Sequence, residues 1–228
     1  MPTVETPSAA AVRAVANSSN AFGFDLYARV AEAPGNLAIS PASITTALAM
    51  AWGGAKYQTD EQMKKVLHVD GERDAAIAAW GNLSRALQEP SRPLKLRIAN
   101  RLFGEKTFTL EQPFLDKTQA AFGAPLEPVD FRGAPGAARQ MINSWVEART
   151  EDRIKDLLPS SAITSDTRMV LVNAIYFIAE WLTRFEMEQT FDAPFTTDGG
   201  TKKVPTMHNA LPLKMAQVDG AKMLELPY

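Results

Sequence analysis

A chain of 228 residues, 46% apolar and 22% charged, can close one large core or two small ones and has the make-up of an ordinary soluble globular protein. Its net charge of −2 gives neither nucleic acid nor an anionic membrane an electrostatic foothold. It contains no cysteine and two histidines, which excludes disulfides and thiolate chemistry and leaves little for an imidazole metal site.

Met1 to Ser19 carries Glu5, Pro2 and Pro7 without a long apolar core, so it does not read as a signal peptide. No apolar run reaches the roughly 20 residues that a membrane-spanning helix needs. Asn17-Ser18-Ser19 and Asn82-Leu83-Ser84 fit the glycosylation triplet, a pattern that carries little weight without a secretion signal. The Ala-rich residues 1–16 read as a loose start or the fraying beginning of a helix. On one face of that helix follow Phe22, Leu26, Tyr27 and Val30. Pro34-Gly35 ends it. Ser40-Pro41 supplies an N-cap and a first helical position. Ile44, Ala47, Leu48 and Ala51 are then the apolar stripe of a second helix, closed by Gly53-Gly54.

Thr59-Asp60-Glu61-Gln62 has the form of a capping box for a short helix with Met63, Val66 and Leu67 inward. Ile77, Trp80, Leu83, Ser84 and Leu87 mark another helix, stopping near Pro90. Leu94, Leu96, Ile98 and Leu102 alternate with Lys95, Arg97 and Arg101, which is the period of a strand. Asn100 stands in its inward row, where an apolar residue is expected. A helix over Pro113–Phe122 ends at Gly123. Leu126 and Val129 suggest a short edge strand broken by Pro125 and Pro128. Ala138, Met141, Ile142, Trp145 and Val146 give a strongly periodic helix.

From Met169 to Ile178 every side chain is apolar or aromatic except Asn173. This reads as a strand covered on both faces. Beyond Trp181 come Phe185, Phe191 and Phe195 among polar residues, then a turn at Asp198-Gly199-Gly200. Further strands follow at Val204–Met207, Leu213–Val218 and Ala221–Tyr228. The total is a mixed helix-and-sheet α+β fold without repeats.

Chemistry is hard to find. There is no Gly-x-Ser-x-Gly elbow, phosphate loop, dinucleotide fingerprint or His-Glu-x-x-His. His68 reads as a helix-end cation or solvent group and His208 as a loop residue. Glu186 and Glu188 suit a solvated face. Arg85, Arg92, Lys95, Arg97 and Arg101 are dispersed among acids, so a polyanion site is open but not favoured. No enzyme activity or cofactor is expected. What stands out is polar residues in apolar company: Ser40, Ser43, Asn100, Asn173 and the lone Trp181. Each could be satisfied locally, Ser40 as a cap and the amides by loop backbone. Together they suggest a polar cluster beneath a sheet.

At these residues the sequence resembles the serpin family. Asn36-Leu37-Ala38-Ile39-Ser40-Pro41-Ala42-Ser43-Ile44 is similar to the start of the family's second helix. Gly54-Ala55-Lys56 with Thr59 resembles the segment after it. Ile142-Asn143-Ser144-Trp145-Val146-Glu147 with Thr150 and Ile154 resembles an Ile-Asn-x-Trp-Val pattern. Leu171-Val172-Asn173-Ala174-Ile175-Tyr176-Phe177, Trp181, Phe185, Thr190 and Phe195 resemble the Leu-Val-Asn-Ala-x-Tyr-Phe…Trp signature. Val204-Pro205-x-Met207 and Leu224-Glu225-Leu226-Pro227-Tyr228 also fit. One departure is Ile178-Ala179-Glu180, where the family usually has Lys-Gly before the Trp.

The resemblance implies an inhibitor of serine or cysteine proteases whose cleaved reactive-centre loop inserts into the main sheet, a case of strand addition that releases stored strain. It implies that Ser40, Ser43, Asn100 and Asn173 form the shutter under the opening point and that Trp181 marks the breach. A complete family member is longer. Residues 1–19 are therefore expected to be a loose extension and 20–228 an incomplete domain, truncated before the reactive-centre loop and inactive by itself. The alternatives are a non-inhibitory carrier or chaperone-like member and a truncated product without function. The expected partner is a target protease through the missing loop. An exposed edge on the Met169–Ile178 strand leaves self-association open. Family resemblance suggests an extracellular location, and the missing signal peptide a cytoplasmic one.

Overall fold

The computed structural model describes residues 7–32, 35–91, 94–197 and 199–228. The expectations on residues 1–6, Pro34, Arg92 and the first position of the Asp198 turn lie outside them. The chain divides into two units, one of Met1–Pro90 and Leu96–Tyr176 and one of Ser91–Lys95 and Phe177–Tyr228.

Among the described residues the first unit holds six helices: α1 (Ala9–Val30), α2 (Pro41–Trp52), α3 (Tyr57–Val66), α4 (Arg73–Leu87), α5 (Gln112–Phe122) and α6 (Pro135–Arg149). Its sheet has the order β2-β1-β3, built from β1 (Leu94–Glu105), β2 (Leu126–Val129) and β3 (Met169–Ala179). β2 runs parallel to β1, with Leu102 opposite Leu126 and Glu105 opposite Val129. α5 is the crossover that a parallel pair requires. Successive residues of a strand point to opposite faces, and β1 feeds two cores. Leu102 joins Val15, Met50, Trp52, Ile77 and Trp80 from the helices on one face. Phe103 joins Phe131, Ile142, Val146, Val172 and Ala174 on the other, where α6 packs. The fold is α+β with helices on both sides of a mixed sheet, as the sequence implies.

Several local readings shift. Residues 9–19, read as a loose extension or as the fraying beginning of a helix, are the opening turns of α1, capped by Ser8, which accepts from Ala11 N at 3.2 Å. The buried face of α1 is Val15, Ser18 and Phe22, while Tyr27 is exposed. α2 turns Thr45, Ala49, Met50 and Trp52 inward and leaves Ile44, Ala47, Leu48 and Ala51 half-buried. A threonine can face the core because its hydroxyl is satisfied within the helix, by Pro41 O at 2.9 Å. A chain of donors then ties three helices: Trp80 Nε1 donates to Ser19 Oγ at 2.9 Å, and the Ser19 and Thr45 hydroxyls pair at 3.2 Å. α3 begins at Tyr57, so Thr59 lies inside the helix and the capping box does not form. Asp60 accepts from Arg73 Nη1 at 3.1 Å instead.

β3 departs most from expectation. Val172, Ala174 and Tyr176 are buried, but Leu171, Asn173 and Ile175 on the opposite face are only half-buried, and Phe177 and Ile178 are exposed. One face, not two, is fully covered. β3 is also the last strand of its sheet among the described residues.

In the second unit, β4 (Thr190–Thr197) and β5 (Gly200–Met207) form an antiparallel hairpin, with Phe191 opposite Thr206 and Phe195 opposite Lys202. Gly200 takes a left-handed φ of 109° at its turn, which a residue without Cβ tolerates. A second hairpin pairs β6 (Lys214–Val218) with β7 (Ala221–Glu225). No helix among the described residues is long and apolar enough to cross a membrane.

Two constraints hold the first unit together. Gly81 of α4 lies directly against α5, where an added Cβ would stand 2.2 Å from Ala121 O. The second is Glu105, 2% exposed at the end of β1. Its Oε2 accepts from Phe131 N at 2.8 Å and Arg132 N at 3.0 Å, and its Oε1 from Thr107 Oγ1 at 2.8 Å and Thr107 N at 3.1 Å. Burial pushes its carboxyl upward, but the hydrogen bonds from Thr107, Arg132 and Phe131 outweigh it and hold the group below the ordinary glutamate range.

Gly81→Ala forces a backbone shift in α4 or α5 and is expected to lower unfolding stability by about 3 kcal/mol, the upper part of the overpacking range, as read by urea denaturation. For Glu105, a folded-state value below the unfolded one means that its contribution is fully present above the ordinary glutamate range and is lost as pH falls through the folded value. Glu105→Gln is therefore less stable than the native chain at neutral pH. The gap narrows once pH drops below about 4. Denaturation midpoints measured from neutral to acid pH would show the two curves converging.

Candidate functional site

The site is built on neighbouring strands. Asn100 points into the apolar face of β1, where it is 6% exposed. Its Nδ2 donates to Phe122 O at 3.1 Å. Phe122 is the last residue of α5, and helix-end carbonyls lack an intrahelical partner. Gly123, at φ 59°, turns the chain away in a left-handed cap. The Asn100 amide thus replaces a missing turn of helix. Its Oδ1 accepts from Asn173 Nδ2 of β3 at 2.7 Å. The two anomalous amides of the sequence therefore meet across the sheet.

The chain of bonds stops there. Asn173 Oδ1 is buried and finds no donor among the described residues. An amide oxygen can accept two hydrogen bonds, and one left without any in a dry setting costs about 1–3 kcal/mol. The network is partial, and partial networks are the ones that loosen.

Ser40 and Ser43 form a separate pair. Ser40 is the N-cap of α2: its Oγ accepts from Ser43 N at 3.3 Å and donates to Ser43 Oγ at 3.0 Å. Ser40 is exposed and Ser43 half-buried. Among the described residues no hydrogen bond joins this pair to Asn100 or Asn173. Of the four residues expected to cluster, the structure links two and two.

Trp181 follows β3 in the second unit. It stacks on Tyr228, with ring centres 4.8 Å apart and planes 11° from parallel, and meets Phe185 edge-on at 6.5 Å. Phe177 meets Tyr228 edge-on at 5.2 Å, and Leu182 N donates to Pro227 O at 3.0 Å. The chain leaving β3 is thus held by the last described residues.

The histidines lie elsewhere. His68 Nε2 is 2.8 Å from Asp25 Oδ2 at the surface, and His208 stacks on Phe191 at 3.8 Å. Among the described residues no group of three or more His, Asp or Glu side chains could hold a metal. Among the described residues the arrangement is an amide pair joining neighbouring strands, on a strand that ends its sheet, with one acceptor that finds no donor.

Two contributors escaped the sequence. The Phe122 carbonyl is backbone and has no sequence signal beyond the Gly123 cap. Glu105 falls in the outward row of β1, where charge reads as solvated; its partners come from Thr107 and from the Phe131–Arg132 loop after β2, which the row pattern does not reveal.

A sequence model of the serpins, described as serine protease inhibitors, matches residues 17–228, and the chain belongs to the serpin family. A serpin-like protein of Thermococcus kodakarensis, itself uncharacterised, is 39% identical over 215 residues, 94% of this chain and 50% of that protein. The leukocyte elastase inhibitor of Equus caballus is 40% identical over 212 residues, 91% of this chain and 56% of the inhibitor. The structure of emu (Dromaius novaehollandiae) ovalbumin superposes with a TM-score of 0.87 at 33% identity, covering 94% of this chain and 60% of that one. The chain spans about half the length of the curated relatives it matches.

Removing either amide tests the asymmetry of the pair. Asn100→Ala strands both Phe122 O and Asn173 Nδ2 and is expected to cost about 1–3 kcal/mol. Asn173→Ala also deletes an oxygen that is already unpaired, so its cost should be the smaller of the two. Chemical denaturation of both variants against the native chain gives the ranking.

Proposed function

We propose that this chain forms the strand-receiving part of a serpin-type inhibitor of serine or cysteine proteases. The observation that carries the reading is the edge of β3, which has no further strand beside it among the described residues, next to Asn173 Oδ1, which finds no donor among them. An edge strand presents a row of unpaired N–H and C=O groups, a ready template for another strand. A reactive-centre loop inserted there would pair that row and bring its own side chains beside the half-buried Leu171, Asn173 and Ile175. Asn100 and Asn173 act in this reading as the pin of the seam. Ser40 and Ser43 belong to the same shutter, with the α2 N-terminus as the moving part. Trp181, packed on Tyr228 and Phe185, is the breach at which insertion starts. Target recognition, and with it the choice of protease, lies in the loop and not in the 228 residues. The similarity to an elastase inhibitor makes an elastase-like serine protease the first target to try.

The 228-residue chain alone is expected to form no complex with pancreatic elastase or chymotrypsin that survives denaturing electrophoresis. It is also expected to associate with itself as concentration rises in light scattering, because the β3 edge is open. A denaturant-resistant protease complex would overturn the assignment of recognition to the loop. A monomer at every concentration would overturn the open template edge.

A further inference from the structure

We propose that the cleft between α4, β1, α5 and α6 binds a small phosphate or sulfate ester. Arg85, Arg101 and Arg149, far apart in sequence, converge on this cleft of about 540 Å³, which Trp145 and Gln88 also line. Guanidinium groups carry planar donor forks suited to tetrahedral oxyanions. Charges of one sign in a cleft with low-dielectric walls concentrate a field that draws the opposite sign.

The arginines have donors to spare. Arg101 Nη1 pairs with Glu127 Oε2 at 3.0 Å, yet its Nε is buried and finds no acceptor among the described residues. Trp145 Nε1 is buried and unpaired in the same sense. Arg85 Nη1 reaches Ala121 O at 3.1 Å and Ala120 O at 3.5 Å, and its Nη2 reaches Asn82 Oδ1; these are neutral acceptors that leave its charge uncancelled. Arg149 is exposed, lies 5.7 Å from the centre of the Trp145 ring and has no carboxylate partner among the described residues. Arg101 sits 5.4 Å from the same ring. The indole thus gathers two guanidinium groups by cation–π attraction, and among the described residues Glu127 is the one carboxylate bonded to any of the three arginines.

An anionic ester group would satisfy the surplus: one anionic head among three cations, its oxygens accepting hydrogen bonds from the guanidinium donors close by. The volume leaves room for a sugar- or nucleoside-sized body. Asn100 lines the same cleft, so a ligand there touches the strand that carries the amide pair. The binding stands whether or not the chain serves an inhibitor.

The test is calorimetry and thermal unfolding of the full chain with inorganic pyrophosphate and, separately, sodium sulfate at low ionic strength. At least one is expected to bind, to raise the unfolding temperature and to quench tryptophan fluorescence, with affinity falling as sodium chloride is added. Arg149→Gln, on an exposed side chain, should weaken binding about tenfold, the loss of one charged contact at 1.4 kcal/mol per decade, and Arg85→Gln with Arg149→Gln should abolish it. Trp145→Phe should lose the quench while the heat of binding remains. Pyrophosphate in preference points to a phosphorylated ligand and sulfate in preference to a sulfated one; either supports the site. No heat and no thermal shift with both anions overturns it, as does undiminished binding by the double variant.

Discussion

An amide side chain inside a sheet must find partners or loosen what surrounds it. In this chain the relevant bonds run Asn173 to Asn100 to Phe122 O, from the outer strand, through the central strand, to the end of a helix. The first joins strands far apart in sequence and the second joins the central strand to the helix that follows it, and each replaces a solvent contact that the core denies. The first unit is thereby registered in three places at once. The deficit at Asn173 Oδ1 falls on the strand that ends its sheet among the described residues, the side where change is least opposed by packing.

Much of the architecture is legible from local chemistry. The Ser40-Pro41 start of α2, the Gly123 end of α5 and the short edge strand at Leu126–Val129 follow from rules that operate within a few residues. The two amides could be singled out because each interrupts a periodic row. Their meeting could not be read, since register between strands is set by the whole sheet.

What was not legible depends on neighbours. Pattern alone chose Ile44, Ala47, Leu48 and Ala51 as the stripe of α2, yet Thr45, Ala49, Met50 and Trp52 are the buried side chains; Thr45 can be one of them because a threonine bonded to its own helix and to Ser19 is no longer polar to its surroundings. The capping-box letters Thr59–Gln62 were present, but Tyr57 was free to start the helix earlier. Glu105 and the convergence of Arg85, Arg101 and Arg149 were invisible for the same reason: both arise where elements separated by tens of residues pack. The Ser40–Ser43 pair shows the opposite case, a local cap that accounts for its own bonds and needs no distant partner.

The burial of β1 changes along its length. From Leu94 to Ala99 its residues are at most half-buried, whereas from Leu102 to Glu105 all are buried. At the buried end, Glu105 N bonds Arg168 O at 2.9 Å and Lys106 N bonds Val129 O at 2.8 Å. Mechanically this is a beam clamped at one end. Opening fluctuations should be graded along it, with backbone amides near Glu105 exchanging with solvent only in deep unfolding and those near Leu94 in shallow breathing. Asn100 sits at the transition between these regimes, where a small displacement at the soft end becomes a rotation about the fixed one.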